Sequence, residues 1–147
     1  MKPNLGNGIT LLCDSETLAN RIRGLMEVRW QRAVKVDYDA PFVKIRWEAN
    51  SDPVKENIKV HRIKDWLMAI INQQIIIINF RLSADYIMHE TLRYALERID
   101  VTFSYCGNCY TVYFIGTLET FKKTLTIQLR ENYHLLDIID FEFPSMI

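Results

Sequence analysis

The chain has 147 residues, and its 18 basic and 18 acidic side chains give a formal net charge of zero. This balance excludes the strongly basic surface of a protein that coats DNA, and a hydrophobic content of 49% is typical of a globular protein. A chain of this length can bury a core without disulfides or a metal, and three cysteines do not make a secreted disulfide framework. We therefore expect a single domain over residues 1–147 in the cytoplasm of a cell, or of a host if the gene is viral.

The sequence predicts no membrane partner. Residues 1–8 lack the apolar core of a signal peptide. The longest apolar stretch, residues 66–80, is interrupted by Asn and Gln side chains and is shorter than the roughly twenty apolar residues that span a bilayer. We expect this stretch to lie in the protein core.

The first half of the chain shows helical and strand periodicities in alternation. An apolar stripe at Leu18, Ile22, Leu25 and Met26 has helical spacing, whereas residues 33–38 and 42–48 alternate apolar and polar side chains as adjacent antiparallel strands do. The predicted elements are, in chain order, a strand at residues 8–13, a helix capped by Asp14 or Ser15, strands at 33–38 and 42–48, a turn at 50–53, a short strand at 58–61 and a helix at 64–72.

The second half begins with four consecutive isoleucines, the composition of a central strand covered on both faces. The dipeptide Gly107-Asn108 between two strand-like segments predicts a two-residue hairpin turn. Residues 117–130 fit either a helix or a strand, and the preceding Gly116-Thr117 favours the helix. The predicted elements are a strand at 75–78, a helix at 84–99 capped by Ser83, hairpin strands at 101–106 and 109–115, a helix at 117–130 and a strand at 135–143.

The order of these elements predicts the fold class. From residue 75 onward it is βαββαβ, the ferredoxin-like order, and the first half nearly repeats it without a detectable repeat of residues. We therefore predict an α+β fold, a two-layer sandwich with a largely antiparallel sheet.

The polar faces of the early strands collect positive charge. Basic strands beside aromatic residues such as Trp30 and Trp47 bind single-stranded nucleic acid in other proteins, through phosphate contacts and base stacking. Asp37 and Glu48 dilute this charge, and a solvated sheet face explains the pattern equally. The candidate binding residues are Arg29, Arg32, Lys35, Lys44, Arg46, Lys59 and His61.

No catalytic or metal-binding signature stands out, and we expect no metal and no cofactor. Cys106 and Cys109 have the spacing of a redox or zinc motif, but they flank a hairpin turn and not a helix N-terminus, which favours inert neighbours. Cys13 precedes a helix N-terminus, where a thiolate is stabilised, although no base stands near it in sequence. His89 is predicted on the solvated helix face that also carries Asp85, Arg93 and Glu97, with Met88 on the apolar face.

Two further observations bear on chemistry. Asp140 and Glu142 share one face of the predicted last strand and Asp137 the other, as solvated edge residues do. The chain contains neither a phosphate-binding loop nor a nucleophile elbow nor a zinc-protease motif.

Three functional hypotheses follow. The first is a non-enzymatic interaction module, such as an oligomer, an inhibitor or an adaptor, encoded by a viral or accessory gene and bound to a protein partner or to itself. The second is a nucleic-acid or nucleotide-binding protein that uses the basic sheet face. The third is an enzyme of unrecognised type that uses Cys13 or His89. The lack of a catalytic constellation favours the first.

Overall fold

The computed structural model describes residues 7–99, 101–142 and 144–146. The chain divides into two compact units, an N-terminal unit of residues 1–72 and a C-terminal unit of residues 73–147. Each unit combines helices with one antiparallel sheet, which confirms the predicted α+β class and its two-layer architecture. The single domain over residues 1–147 stays a prediction.

The N-terminal unit has the order βαββα. Its three strands pair antiparallel in the order β1-β3-β2, so that β3 is central and β1 and β2 are the edges. The elements are β1 (Asn7–Leu12), α1 (Glu16–Trp30), a 3₁₀ turn (Gln31–Ala33), β2 (Val34–Asp39), β3 (Phe42–Trp47) and α2 (Pro53–Ile71).

Period-two alternation divides the sheet of this unit into two faces. On β3, Val43, Ile45 and Trp47 are buried, and they share their face with buried residues of α1 and α2. Ser15 accepts a hydrogen bond from Leu18 N at the start of α1, which confirms one of the two predicted caps. Both helices contribute to one core, and the opposite sheet face is left open.

The second helix corrects two predictions. Residues 58–61 are not a strand, and the helix predicted at 64–72 begins eleven residues earlier, at Pro53. Asp52 accepts a hydrogen bond from Val54 N at 2.9 Å, and Pro53 occupies the first helical position, where its missing N–H is not needed. The same Asp-Pro pair reads as a turn in the sequence because both residue types also favour turns.

The C-terminal unit has the order βαββαβ. Its sheet runs β5-β6-β4-β7, with β8 also paired to β4, so that β6 lies between β4 and β5 as in the ferredoxin-like order. The elements are β4 (Ile75–Leu82), α3 (Tyr86–Arg98), β5 (Thr102–Cys106), β6 (Cys109–Ile115), α4 (Leu118–Leu129), a 3₁₀ segment (Arg130–Ile138), β7 (Ile139–Phe141) and β8 (Ser145–Met146).

Three predictions for this unit are confirmed. The isoleucine strand is central, since β6 pairs along one edge of β4 and β7 with β8 along the other. The hairpin turns at Gly107, whose φ of 60° is the left-handed conformation that glycine adopts without strain. Residues 118–129 are helical, with Thr117 as the cap that accepts from Thr120 N.

Two boundaries in this unit were predicted wrongly. The cap of α3 is Asp85 and not Ser83: its carboxylate accepts from Met88 N at 3.0 Å. The predicted strand at 135–143 is 3₁₀ helix up to Ile138, because its apolar residues recur at helical as well as strand spacing and Leu135 enters the core. Phe143 lies outside the described residues.

Replacement of Asp52 by alanine tests the start of α2. Because Asp52→Ala removes the acceptor for Val54 N, we expect it to lower the free energy of unfolding by about 1 kcal/mol in chemical denaturation. Asp65→Ala makes the same charge change at an exposed position inside α2 and should change stability by less than about 0.5 kcal/mol. Equal losses in both variants would show that Asp52 does not cap the helix.

Candidate functional site

The uncovered face of the N-terminal sheet, called here the open face, consists of three rows of side chains that cross β1, β3 and β2. Each row holds residues that are directly opposite one another in the strand register. The rows are Gly8–Arg46–Lys35, Thr10–Lys44–Asp37 and Leu12–Phe42–Asp39.

Three of the predicted binding residues meet on this face. Lys35 and Arg46 are directly opposite each other, and Lys44 lies two residues from Arg46 on the same side of β3. Like charges in opposite positions of a sheet repel each other and lower stability. An anionic partner would relieve this repulsion.

The other predicted binding residues lie elsewhere. Arg29 on α1 stacks on the ring of Trp66, with the guanidinium carbon 4.8 Å from the ring centroid. Lys59 and His61 belong to α2 and not to the sheet, because the segment predicted as a strand is helical; Lys59 donates to the carbonyl of Glu48 at 3.0 Å. Arg32 lies in the 3₁₀ turn that precedes β2.

Arg32 and Lys35 line a cavity of about 290 Å³ between the end of α1 and β2. Arg23 and Glu27 of α1 also line it, together with Gln31, whose φ of 52° is unusual for a residue other than glycine. The cavity has three cations and one anion, so its charge favours a small anion.

The free edge of β2 is protected. Lys35, Asp37 and the turn residue Asp39 place charges along it, and Arg23 Nε donates to the Val36 carbonyl at 3.4 Å. Charged side chains and covered carbonyls are the usual means by which proteins prevent an edge from pairing with another strand. Val36 therefore directs its backbone away from β3.

The direction of Val36 determines which backbone groups face outwards on β1. Opposite residues of antiparallel strands alternate between hydrogen-bonded and non-hydrogen-bonded pairs, so Ile45 bonds to Ile9 across β1. The N–H and C=O groups that face away from β3 on β1 belong to Gly8, Thr10 and Leu12.

This outward side of β1, called here the β1 edge, is unprotected. Residues Asn7–Leu12 contain neither a charged side chain nor a proline, and within the described residues β1 pairs with β3 alone. Ile9 and Leu11 point to the core side of the sheet but are only half-buried, and Leu12 is 79% exposed. Sequence reasoning missed this edge, although the lack of charge in the segment was a visible signal.

Glu56 on α2 holds the start of β1 in place. Its carboxylate accepts hydrogen bonds from Asn50 N at 2.8 Å, from Trp47 Nε1 at 3.2 Å and from the Asn7 side-chain amide. These donors, with the Asn50 N–H first, hold the pKa of Glu56 below its ordinary value. One carboxylate therefore connects the first residue of β1 with β3, α2 and the loop between them.

Glu56→Gln tests this role through pH. Because the pKa of Glu56 is lowered by folding, its contribution to stability is present above the ordinary pKa of 4.5 and lost as pH falls through the folded value. We expect the variant to melt at a lower temperature than the wild type at pH 7 and to show a smaller loss of stability on acidification. Glu27→Gln, at an exposed position that makes no side-chain hydrogen bond with the described residues, should reproduce the wild-type pH profile.

His89 occupies a different position from the predicted one. It is 6% exposed and faces the core of the C-terminal unit, whereas Met88, predicted on the apolar face, is 42% exposed. Both positions have helical spacing to Leu92, and the hydroxyl of Tyr110 decides between them, because it lies 2.6 Å from His89 Nδ1.

The hydrogen bonds around Tyr110 assign the protons. Arg93 Nε donates to the Tyr110 oxygen at 3.3 Å, which leaves the Tyr110 hydroxyl hydrogen for His89 Nδ1. Burial raises the pKa of Tyr110, so that it remains a donor at neutral pH. His89 Nε2 then carries a proton, is fully enclosed and has no partner among the described residues. An enclosed nitrogen cannot take a proton from a substrate without movement of the surrounding chain.

Tyr110→Phe should destabilise the C-terminal unit by about 1–3 kcal/mol, because it leaves the buried His89 ring without its hydrogen-bond partner. In the His89→Leu background the same substitution should cost less, since that partner is already absent. A double-mutant cycle by chemical denaturation measures the difference. Additive losses would mean that the two side chains do not interact.

The cysteines do not assemble a site within the described part of the chain. Cys13 is buried, and its Sγ lies 3.3 Å from the carbonyl of Ser15. Cys106 and Cys109 are opposite each other beside the hairpin turn, exposed and unbridged. Among the described residues, no three His, Cys, Asp or Glu side chains are grouped as a metal ion would need.

No protein-family model and no curated protein matches this chain. None of the described helices has the length and apolar character of a membrane span.

Proposed function

We propose that the chain is a non-enzymatic interaction module that pairs the β1 edge with an extended segment of another protein. The observation that carries this proposal is the difference between two units with the same order of elements. In the C-terminal unit, β7 and β8 cover the edge of β4, the first strand; in the N-terminal unit, no described strand covers the edge of β1.

Burial of the two first strands supports the proposal. The core-facing residues of β4, from Ile76 to Leu82, are all buried, whereas Ile9 and Leu11 on β1 are half-buried. A strand on the β1 edge would cover these two side chains and satisfy the outward N–H and C=O groups of β1. Addition of a strand to an exposed edge is a common mode of peptide recognition.

The contrast between the two edges of this sheet also supports the proposal. The edge of β2 carries charges and the contact from Arg23, which discourage pairing. The β1 edge carries neither. Protection of one edge only is what a sheet needs if it is to accept one additional strand in a defined place.

A proline at position 10 tests the proposal. Thr10 directs its N–H away from β3, so Thr10→Pro removes a donor from the β1 edge without removing a hydrogen bond of the sheet. We expect this variant to remain folded and to lose binding of extended peptides by about tenfold or more. Thr10→Val, which keeps the N–H and the strand propensity, should bind as the wild type does.

Fluorescence anisotropy of labelled peptides measures the binding, and thermal unfolding verifies the fold. Hydrogen exchange provides a second readout that needs no variant: bound peptide should slow exchange of the Gly8, Thr10 and Leu12 amides. Unchanged exchange at these three amides would reject strand addition at the β1 edge.

A second candidate function is nucleic-acid binding through the open face. The observation that favours it is the direct opposition of Lys35 and Arg46, beside Lys44 and the 42% exposed ring of Phe42. Phosphate contacts from the cations and stacking on the ring would both contribute. This reading requires Lys35 as much as Arg46, whereas strand addition at the β1 edge does not.

A further inference from the structure

We infer that the segment bound at the β1 edge carries an acidic side chain opposite Gly8, where Arg46 reaches it. This inference rests on the proposed function and specifies the chemistry of the partner. The partner is therefore an extended acidic segment of another protein.

The position of Arg46 supplies the first argument. A Cβ on Gly8 would lie 3.5 Å from Arg46 Cγ, so the Arg46 side chain runs beside Gly8 on the open face. Glycine places no side chain between Arg46 and the β1 edge. A strand paired with β1 lies two strand spacings, about 9.6 Å, from β3, and long side chains of opposite charge cover this distance together.

The charges in the three rows supply the second argument. Lys35 lies opposite Arg46 and repels its guanidinium toward β1, and Arg46 forms no ion pair or hydrogen bond within the described residues. Lys44 in the next row has the carboxylate of Asp37 directly opposite. The uncompensated cation of the open face is thus Arg46, which predicts an acid opposite Gly8 and not opposite Thr10.

The C-terminal unit contains the corresponding arrangement. Its strand β7 has the sequence Ile139-Asp140-Phe141 and pairs antiparallel with β4. Asp140 lies directly opposite Arg81, and both side chains are exposed. The same fold therefore closes this edge with a strand that alternates apolar and acidic residues.

The remaining positions extend the description of the partner. Opposite Ile9 and Leu11 an apolar side chain would complete the core, and opposite Leu12 an apolar side chain would cover its exposed surface. An antiparallel partner strand then reads apolar, apolar, polar, apolar, acidic from its N-terminal end. A second copy of β1 does not fit, because residues Asn7–Leu12 contain no carboxylate.

Selection from a phage-displayed library of random ten-residue peptides tests the inference on the full chain. Enriched peptides should share the pattern above, and one of them is then synthesised with Glu and with Gln at the acidic position. On the wild type we expect the Gln peptide to bind about fivefold more weakly than the Glu peptide, the effect of one exposed ion pair. On Arg46→Glu this preference should disappear, and a Lys peptide should bind better than the Glu peptide.

Lys35→Glu is the matched control. It makes the same change of charge on the open face, but it lies on β2, two strands away from β1. It should leave the preference for the Glu peptide in place.

The other outcomes separate the two proposals. Peptides that bind in a manner sensitive to Thr10→Pro, but equally well with Glu and Gln, would overturn the acidic partner and leave strand addition standing. A selection without any peptide that Thr10→Pro weakens would overturn both.

Two further outcomes identify a different occupant and would also overturn the inference. One is equal loss on Arg46→Glu and Lys35→Glu together with tight binding of a labelled twelve-nucleotide single-stranded DNA, which selects the nucleic-acid reading. The other is a dimer in sedimentation that Thr10→Pro dissociates, which assigns the edge to a second copy of the chain.

Discussion

The central position of β3 is the constraint on which the N-terminal unit depends. Both neighbouring strands pair with it, so its alternation of Val43, Ile45 and Trp47 with Lys44 and Arg46 decides which face of all three strands enters the core. A slip of one residue would place the cations in the core. The same register sets Lys35 opposite Arg46 and Gly8 beside it, and the open face follows from this register.

The two units show how one order of elements produces different surfaces. In the C-terminal unit the chain continues past its second helix into β7 and β8, which return to the edge of β4. In the N-terminal unit the residues after α2 enter β4 of the next unit, and no described strand returns to β1. Because backbone donors and acceptors in a strand require partners, this difference leaves a polar, half-apolar edge in water.

Sequence reasoning predicted the helices and strands where a periodic pattern extended over several residues, as in β2, β3 and the hairpin around Gly107. It failed where two structures share one local signal. Asp52-Pro53 begins a helix but resembles a turn, and His89 and Met88 are equally spaced from Leu92. The choice in each case depends on distant residues, such as the Tyr110 hydroxyl, which no local pattern contains.

The basic face was predictable in part for the same reason. Alternation along single strands identified Lys35, Lys44 and Arg46, whereas the free β1 edge is a property of strand order, which alternation does not determine. The wrong placement of Lys59 and His61 follows from the missed start of α2. Cations on a helix and cations on a sheet have the same periodicity over so few residues.

The anchoring of β1 at both ends connects the fold with the proposed function. Glu56 binds the Asn7 side chain at its start, and Cys13 N donates to the Pro41 carbonyl at 2.6 Å just after its end. An edge strand without such anchors frays, and a partner would have to order it during binding. Because β1 is already held in extended form, strand addition orders only the incoming segment, and less of the interaction free energy is spent on the loss of conformational entropy. The Glu56 carboxylate, although it lies away from the β1 edge, therefore determines how well that edge binds.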